Sequence, residues 1–258
     1  MNLRNARPAT DMTTSAQDMQ RSKVELVVAR YREDLSWLRE VGLPCRVYNK
    51  GPQIDPATLP PGPTPETRVI ALPNVGREAH TYLTHILAHY HNLPQYTALL
   101  QGNPFAHLAP PEEPGVTPQG LRQRLLTLAA KGTPFAGLAW FRLRCDGLGR
   151  PHDLADPAKE GRWKGWGKDI PVARTFEALF RAPAPKEFLA RAATGNMLVR
   201  AERILARPEE FYRRALALVA SDPDDADNTG HAFERLWQAI FSGSESTAGT
   251  VSSRSGRI

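Results

Sequence analysis

The sequence predicts an α/β fold, a mostly parallel central sheet flanked by helices. Three observations predict it. Short β-branched apolar runs alternate with helical patterns, the connections between them are short, and one continuous amphipathic stripe lies between the third and fourth runs.

Val24 to Ala29 forms the first strand, ending at Arg30. Glu33 and Asp34 then suit a helix N-terminus leading into Trp37 and Leu38, because carboxylates complement the positive end of the helix dipole. Cys45 to Tyr48 is a second strand and Asn49-Lys50-Gly51-Pro52 a turn. Gln53 to Thr67 holds five prolines, residues without an amide donor, and reads as a loop. Val69 to Leu72 is the third strand, broken by Pro73. Ala79, Tyr82, Leu83, Ile86, Leu87 and Tyr90 then share one helix face until Pro94 stops the pattern. Thr97 to Leu100 is the fourth strand. Beyond it, Gln119 to Ala130, Glu209 to Ala220 and Gly230 to Phe241 read as helices and Met197 to Val199 as a short strand. The glycine-, proline- and tryptophan-rich stretch from Gly147 to Pro171 reads as a long surface loop. Residues 1–22 are polar and aperiodic, and 242–258 are rich in Ser, Gly and Thr; both are expected to be disordered, leaving a single domain over 23–241.

The composition narrows the class. A chain of 258 residues that is 41% hydrophobic and 8% aromatic can build a core, which excludes wholesale disorder. Two cysteines, Cys45 and Cys145, cannot make a disulfide framework, and no CxxC pair suggests structural zinc. No apolar run approaches the ~18 residues that span a membrane. The first 22 residues lack the apolar centre of a signal peptide, so a cytoplasmic protein is expected. The net charge of +6 suits phosphate-bearing ligands. Without a helix-turn-helix, an RNP-type strand or a block of like charge, nucleic acid is not the expected partner.

Polar residues crowd the strand ends: Arg30, Tyr31, Glu33 and Asp34; Asn49 and Lys50; Asn74, Gly76, Arg77 and Glu78; Gln101, Asn103 and His107. In a parallel sheet these clusters face one crevice beyond the carboxyl ends, where ligands bind. Gly76-Arg77-Glu78 opens the striped helix, whose N-terminus favours a phosphate or carboxylate. His85 and His89, four apart, can reach one metal from one helix face, but no further ligand is evident and both border the apolar stripe. They are read as structural histidines. Arg162-Trp163-Lys164-Gly165-Trp166 interleaves aromatics that stack on sugars or bases with lysines that attract phosphate. His231 and Glu234, three apart, share a face near the start of the last helix, where a carboxylate can serve as general base.

Several of these residues also stand in recognisable motifs. Val27-Val28-Ala29-Arg30-Tyr31-Arg32-Glu33-Asp34-Leu35-Ser36-Trp37-Leu38, Tyr48-Asn49-Lys50-Gly51, Asn74-Val75-Gly76-Arg77-Glu78, Leu100 to His107 and Glu234-Arg235-Leu236-Trp237 resemble a family catalogued as domain of unknown function 3431. More distantly, the Asn-x-Gly-Arg-acidic turn before an amphipathic helix and strand is similar to the nucleotide-binding half of GT-A-fold glycosyltransferases and to rhamnan-synthesis-type polysaccharide proteins. Gly195-Asn196-Met197-Leu198-Val199 and the closing helix are similar to their second half. The resemblance implies a GT-A-like sheet, with a nucleotide-binding half over 23–110 and an acceptor half over 111–241. It implies a nucleotide sugar and a small-molecule or glycan acceptor as partners, with Glu234 as base and Glu78 and Asp34 behind it. Arg30, Lys50 and Arg77 would meet the diphosphate, and Gln101 and Asn103 the sugar or ribose hydroxyls. Trp163 and Trp166 would cover the acceptor, with Tyr31, Asn49, Asn74, His107, Asn196 and His231 lining the site. The chain departs from the pattern where an Asp-x-Asp metal motif should stand, having Gln101-Gly102-Asn103 instead, so a divalent cofactor is not supported there. The alternatives are a non-catalytic carbohydrate- or nucleotide-binding protein of the same fold, a histidine-based metallohydrolase and a basic nucleic-acid-binding module.

Overall fold

β1 (Val24–Arg30) is buried at every position, as a strand must be when strands flank both edges and helices cover both faces. It pairs in parallel with β2 (Cys45–Asn49), and β2 pairs in parallel with β3 (Val69–Ala71). Its other edge takes β4 (Tyr96–Gln101), again in parallel. β5 (Phe135–Gly137) joins the sheet only through β8 (Met197–Arg200), which runs antiparallel to both β4 and β5. The sheet order is therefore β3-β2-β1-β4-β8-β5, mostly parallel, in a mixed α/β fold. β6 (Leu143–Cys145) and β7 (Phe188–Ala190) form a separate antiparallel pair. These elements come from a computed structural model that describes residues 23–59, 69–150 and 169–242.

The helices are α1 (Trp37–Val41), α2 (Arg77–His89), α3 (Pro118–Ala130), α4 (Val172–Phe180), α5 (Ala201–Leu205), α6 (Glu209–Ala220) and α7 (Thr229–Phe241). Strand alternation divides the core between them. Leu26 and Val28 pack on one face with Leu38 and Val41 of α1 and Leu121 and Leu125 of α3. Val27 and Ala29 pack on the other with Tyr82, Leu83 and Ile86 of α2, Val219 of α6 and Phe233 and Trp237 of α7. Each of the valine, leucine, isoleucine and phenylalanine side chains among these contributes about 1.5–3 kcal/mol on burial. No helix among the described residues is long and apolar enough to cross a membrane.

The four parallel strands and the striped helix lie where the sequence places them. α4 is not announced by it, and neither are β5 and the β6–β7 pair, because three-residue strands are too short to show a period. The helix expected from Glu33 starts only at Trp37. Asp34 instead accepts hydrogen bonds from Ser36 N (3.0 Å) and Ser36 Oγ (2.6 Å), a turn that precedes the helix. Of the long loop expected from Gly147 to Pro171, the described ends are held by Asp146, whose Oδ1 accepts from Leu148 N at 2.8 Å, and by Ala173 N donating to Gly147 O at 2.9 Å. Trp163 and Trp166 lie outside the described residues, as do 1–22 and 243–258.

One glycine decides how α2 sits. Gly76 has φ +58°, and a Cβ there would lie 2.0 Å from Val219 Cγ1 of α6. Gly76→Ala is expected to cost about 2–4 kcal/mol in urea unfolding, combining left-handed strain with overpacking. Adding Val219→Ala should return the overpacking part alone; full recovery would mean that the backbone conformation contributes nothing.

Candidate functional site

α1 covers one face of the sheet between β1 and β2, whereas α2 covers the other between β3 and β4. The connections thus diverge at β1 and β4, leaving a crevice beyond their carboxyl ends. Into this crevice project the first turn of α2, the first turns of α7, the residue that ends β4 and the segment before β8.

Two carboxylates meet there. Glu78 of α2 and Glu234 of α7 both approach the Arg77 guanidinium, with Nε–O distances of 3.8 and 3.7 Å, and their side chains keep only 16% and 14% exposure. Glu78 is held by a chain of amides. Asn196 is fully buried, its Oδ1 accepts from Gln101 N at 2.9 Å, and its Nδ2 donates to Gln101 Oε1 at 3.3 Å and Thr194 Oγ1 at 3.2 Å. Gln101 Nε2 in turn donates to Glu78 Oε1. Glu234 receives Arg235 Nη1 at 3.2 Å on its other oxygen. Burial, reinforced by the nearby negative Glu78, nevertheless pushes Glu234 up to about 8, against the opposing pull of Arg235 and Arg77.

The cations around the pair are held by backbone. Lys50 donates from Nζ to Val75 O at 2.6 Å and to the Arg77 carbonyl, tying the end of β2 to the start of α2. Burial lowers it to about 8, with Glu78 acting in the opposite sense. Arg77 is a non-glycine residue at φ +50°, immediately after Gly76 in the same left-handed region. Such strain persists only where surrounding packing over-determines it, and it concentrates at functional sites. Its side chain lies across Gly230, where an added Cβ would come within 3.2 Å of Arg77 Cδ. His231 pairs through Nδ1 with Asp225, which also accepts from Gly230 N at 2.7 Å and so secures the start of α7.

The family model described as Protein of unknown function (DUF3431) matches residues 26–253. The chain belongs to this family. No curated protein and no solved structure matches it.

In this DUF3431 chain the sequence-predicted site residues divide into two groups. Glu78, Glu234, Arg77, Lys50, Gln101 and Asn196 come together in the crevice, with His231 one turn away along α7. Gln101, expected to meet a sugar hydroxyl, has its side chain engaged by Glu78 and Asn196. The remaining residues are not described in contact with this group. Arg30 donates from Nη1 to Asn49 Oδ1 at 2.7 Å and Pro52 O at 2.9 Å, and Asn49 Nδ2 also donates to Pro52 O at 2.9 Å. Both therefore fasten the turn after β2. Tyr31, Asn74 and Asn103 are exposed, Asp34 caps the turn before α1, and His107 lies in a short 3-10 turn where its carbonyl accepts from Trp140 N at 3.1 Å. His85 is fully buried and its Nδ1 faces Tyr48 Oη at 3.0 Å. Its ring centroid is 4.7 Å from that of His89, and burial drives both imidazoles towards the neutral form. Among the described residues no three His, Cys, Asp or Glu side chains gather closely enough to hold a metal.

Sequence reasoning misses Tyr82, Thr194, Arg235 and Asp225. Tyr82 counts in the apolar stripe, yet its buried Oη has no hydrogen-bond partner among the described residues. Both Glu78 and Glu234 add to the burial that raises its phenol. The signal for Arg235 is its place in the Glu-Arg-Leu-Trp motif.

The position of Glu234 makes stability depend on pH. Unfolded, the carboxyl releases its proton near 4.5; folded, it keeps it to about 8. The folded state binds more protons in that window, so the contribution is full below about 4.5 and is lost as pH rises to about 8. Urea unfolding at about pH 5.5 and 7.5 should show a steeper fall for the wild type than for Glu234→Gln. Equal slopes would mean that Glu234 ionises normally.

Proposed function

We propose that the protein transfers a sugar from a nucleotide donor, as a GT-A-like enzyme with Glu234 as its base. The observation that carries this reading is Glu234 itself, a nearly buried carboxylate poised near neutral pH at the crevice and bracketed by Arg77 and Glu78. A base poised near the working pH combines a usable ionised fraction with enough basicity to draw a proton. In the proposed step, Glu234 takes the acceptor hydroxyl proton, the acceptor oxygen bonds the anomeric carbon, and the anomeric carbon–oxygen bond to the diphosphate breaks. Arg77, at the strained start of α2, stabilises the departing diphosphate together with that helix N-terminus and Lys50. Glu78, locked by Gln101, is placed to orient the sugar hydroxyls.

The residues at the end of β4 do not fit the metal of an Asp-x-Asp site. Gln101 and Asn103 are neutral amides, and the neighbouring Glu33 accepts from Tyr31 N at 2.7 Å and Arg32 N at 3.0 Å. Charge neutralisation is therefore assigned to Arg77 and Lys50.

A thermal-shift screen against nucleoside diphosphates and nucleotide sugars should give a rise in Tm with one nucleotide class. Glu234→Gln should keep that rise while release of nucleoside diphosphate stops. Arg77→Gly should lose turnover while still folding, because glycine adopts the left-handed backbone without strain. The absence of a shift with every nucleotide sugar would overturn the reading, and turnover retained in either variant would remove that residue from it.

A further inference from the structure

A second cavity lies away from the crevice, between α4, β7 and the helices α6 and α7, with a volume of about 490 Å³. We propose that it binds a small amphipathic anion, a carboxylate carried on a flat apolar body.

The apolar part of the argument is the wall. Phe176 and Phe180, four apart on α4, stack with centroids 4.3 Å apart at 21°, and Phe211 meets Phe180 edge-on at 5.3 Å. The volume falls in the range of small-molecule pockets, which are apolar with a few placed polar groups. The charged part is one-sided. Arg207 lies over the rings of Phe180 and Phe211, 4.9 and 5.7 Å from their centroids, and makes no ion pair among the described residues. Arg214 and the 5%-exposed Arg235 also line the cavity. The one acid in the wall, Glu187, is bonded to Arg144 at 2.6 Å, outside the cavity lining. Arg214 Nε is buried with no hydrogen-bond partner among the described residues, so a donor inside the wall is left for an occupant that accepts. An apolar neutral ligand would leave this donor unsatisfied. A fully polar anion would leave the phenylalanines bare. A guanidinium already stacked on aromatic rings presents its edge to a carboxylate, which pairs with it while the apolar body covers the rings.

Isothermal titration of the full-length protein with 2-naphthoate and with the neutral 2-naphthalenemethanol tests this. Naphthoate should bind one-to-one and about tenfold or more tightly than the alcohol. Arg207→Gln, which removes the charge from a half-exposed side chain, should abolish most of that difference at unchanged Tm. A nucleoside diphosphate should not displace naphthoate, so failure here is distinct from failure of the crevice reading. No saturable binding, equal binding of acid and alcohol, or naphthoate binding indifferent to Arg207→Gln would each overturn the proposal. So would a dimer in sedimentation that occupies the groove and excludes naphthoate.

Discussion

Asn196 is the point on which the crevice depends. β4 pairs in parallel with β1 and antiparallel with β8, and the pairing with β8 ends at Leu99 opposite Met197. The next strand-end amide, Gln101 N, would lose its partner there. The Asn196 side chain supplies one, while its backbone carbonyl accepts from Leu138 N at 2.9 Å just beyond β5. A buried primary amide is costly unless its donors and acceptor are used, and here they bond Gln101 and Thr194. One residue thus joins β4, β8 and the β5 edge. Through the Gln101 side chain it also sets the position of Glu78 on a helix from the opposite end of the sheet order.

That rigidity matters because the site holds charge with little water. Two carboxylates meet there with about one-seventh of their surface exposed, and Glu78 adds to the burial that raises the proton affinity of Glu234. Arg77 intervenes only at 3.7–3.8 Å, and it does so from a left-handed backbone that a non-glycine residue resists. Packing compels the conformation. Gly76 lets α6 close on the turn, Gly230 lets the Arg77 chain cross α7, and Lys50 bonds the carbonyls of the same turn. The strain, the incomplete ion pairing and the elevated Glu234 occur at one place, as is common where a site must discharge protons rather than merely stabilise a fold.

The parallel half of the fold was legible because burial on two faces demands apolar runs rich in β-branched residues, and Val24 to Ala29 has one broken only by Glu25, which pairs with Arg46. Convergence of the strand-end clusters was legible in outline and not in its internal division. Arg30 and Asn49 have the chemistry of diphosphate ligands, but the turn after β2 folds back so closely that a Cβ on Gly51 would lie 1.7 Å from Tyr31 O. The carbonyls of that turn need donors, and the nearest polar side chains supply them. Nothing in residue type distinguishes an arginine that binds carbonyls of its own chain from one that awaits a ligand. Tyr82 is hidden for the converse reason: at the stripe spacing its ring is core, and only the placement of α7 brings its hydroxyl near two carboxylates. Glu234 was reached from its place beside His231 at a helix start as well as from motif likeness, whereas Asn196 was reached through motif likeness alone, being distant in sequence from the Gln101 it bonds.

Arg235 stands between the carboxylate pair and the aromatic cavity, and its geometry says how. Its Nη1 bonds Glu234 Oε2 at 3.2 Å and His231 O at 2.9 Å, on the crevice side, while the same side chain lines the aromatic cavity. A guanidinium has donors on both edges of one plane, so it can serve two acceptors without moving. An anion arriving on the cavity side would share its charge with Glu234. The carboxylate would then lose part of the attraction that restrains its proton affinity, and its ionised form would become less favoured. An anion in the aromatic cavity, as proposed above, would bias the protonation of Glu234 through this one buried cation, with no change of backbone required.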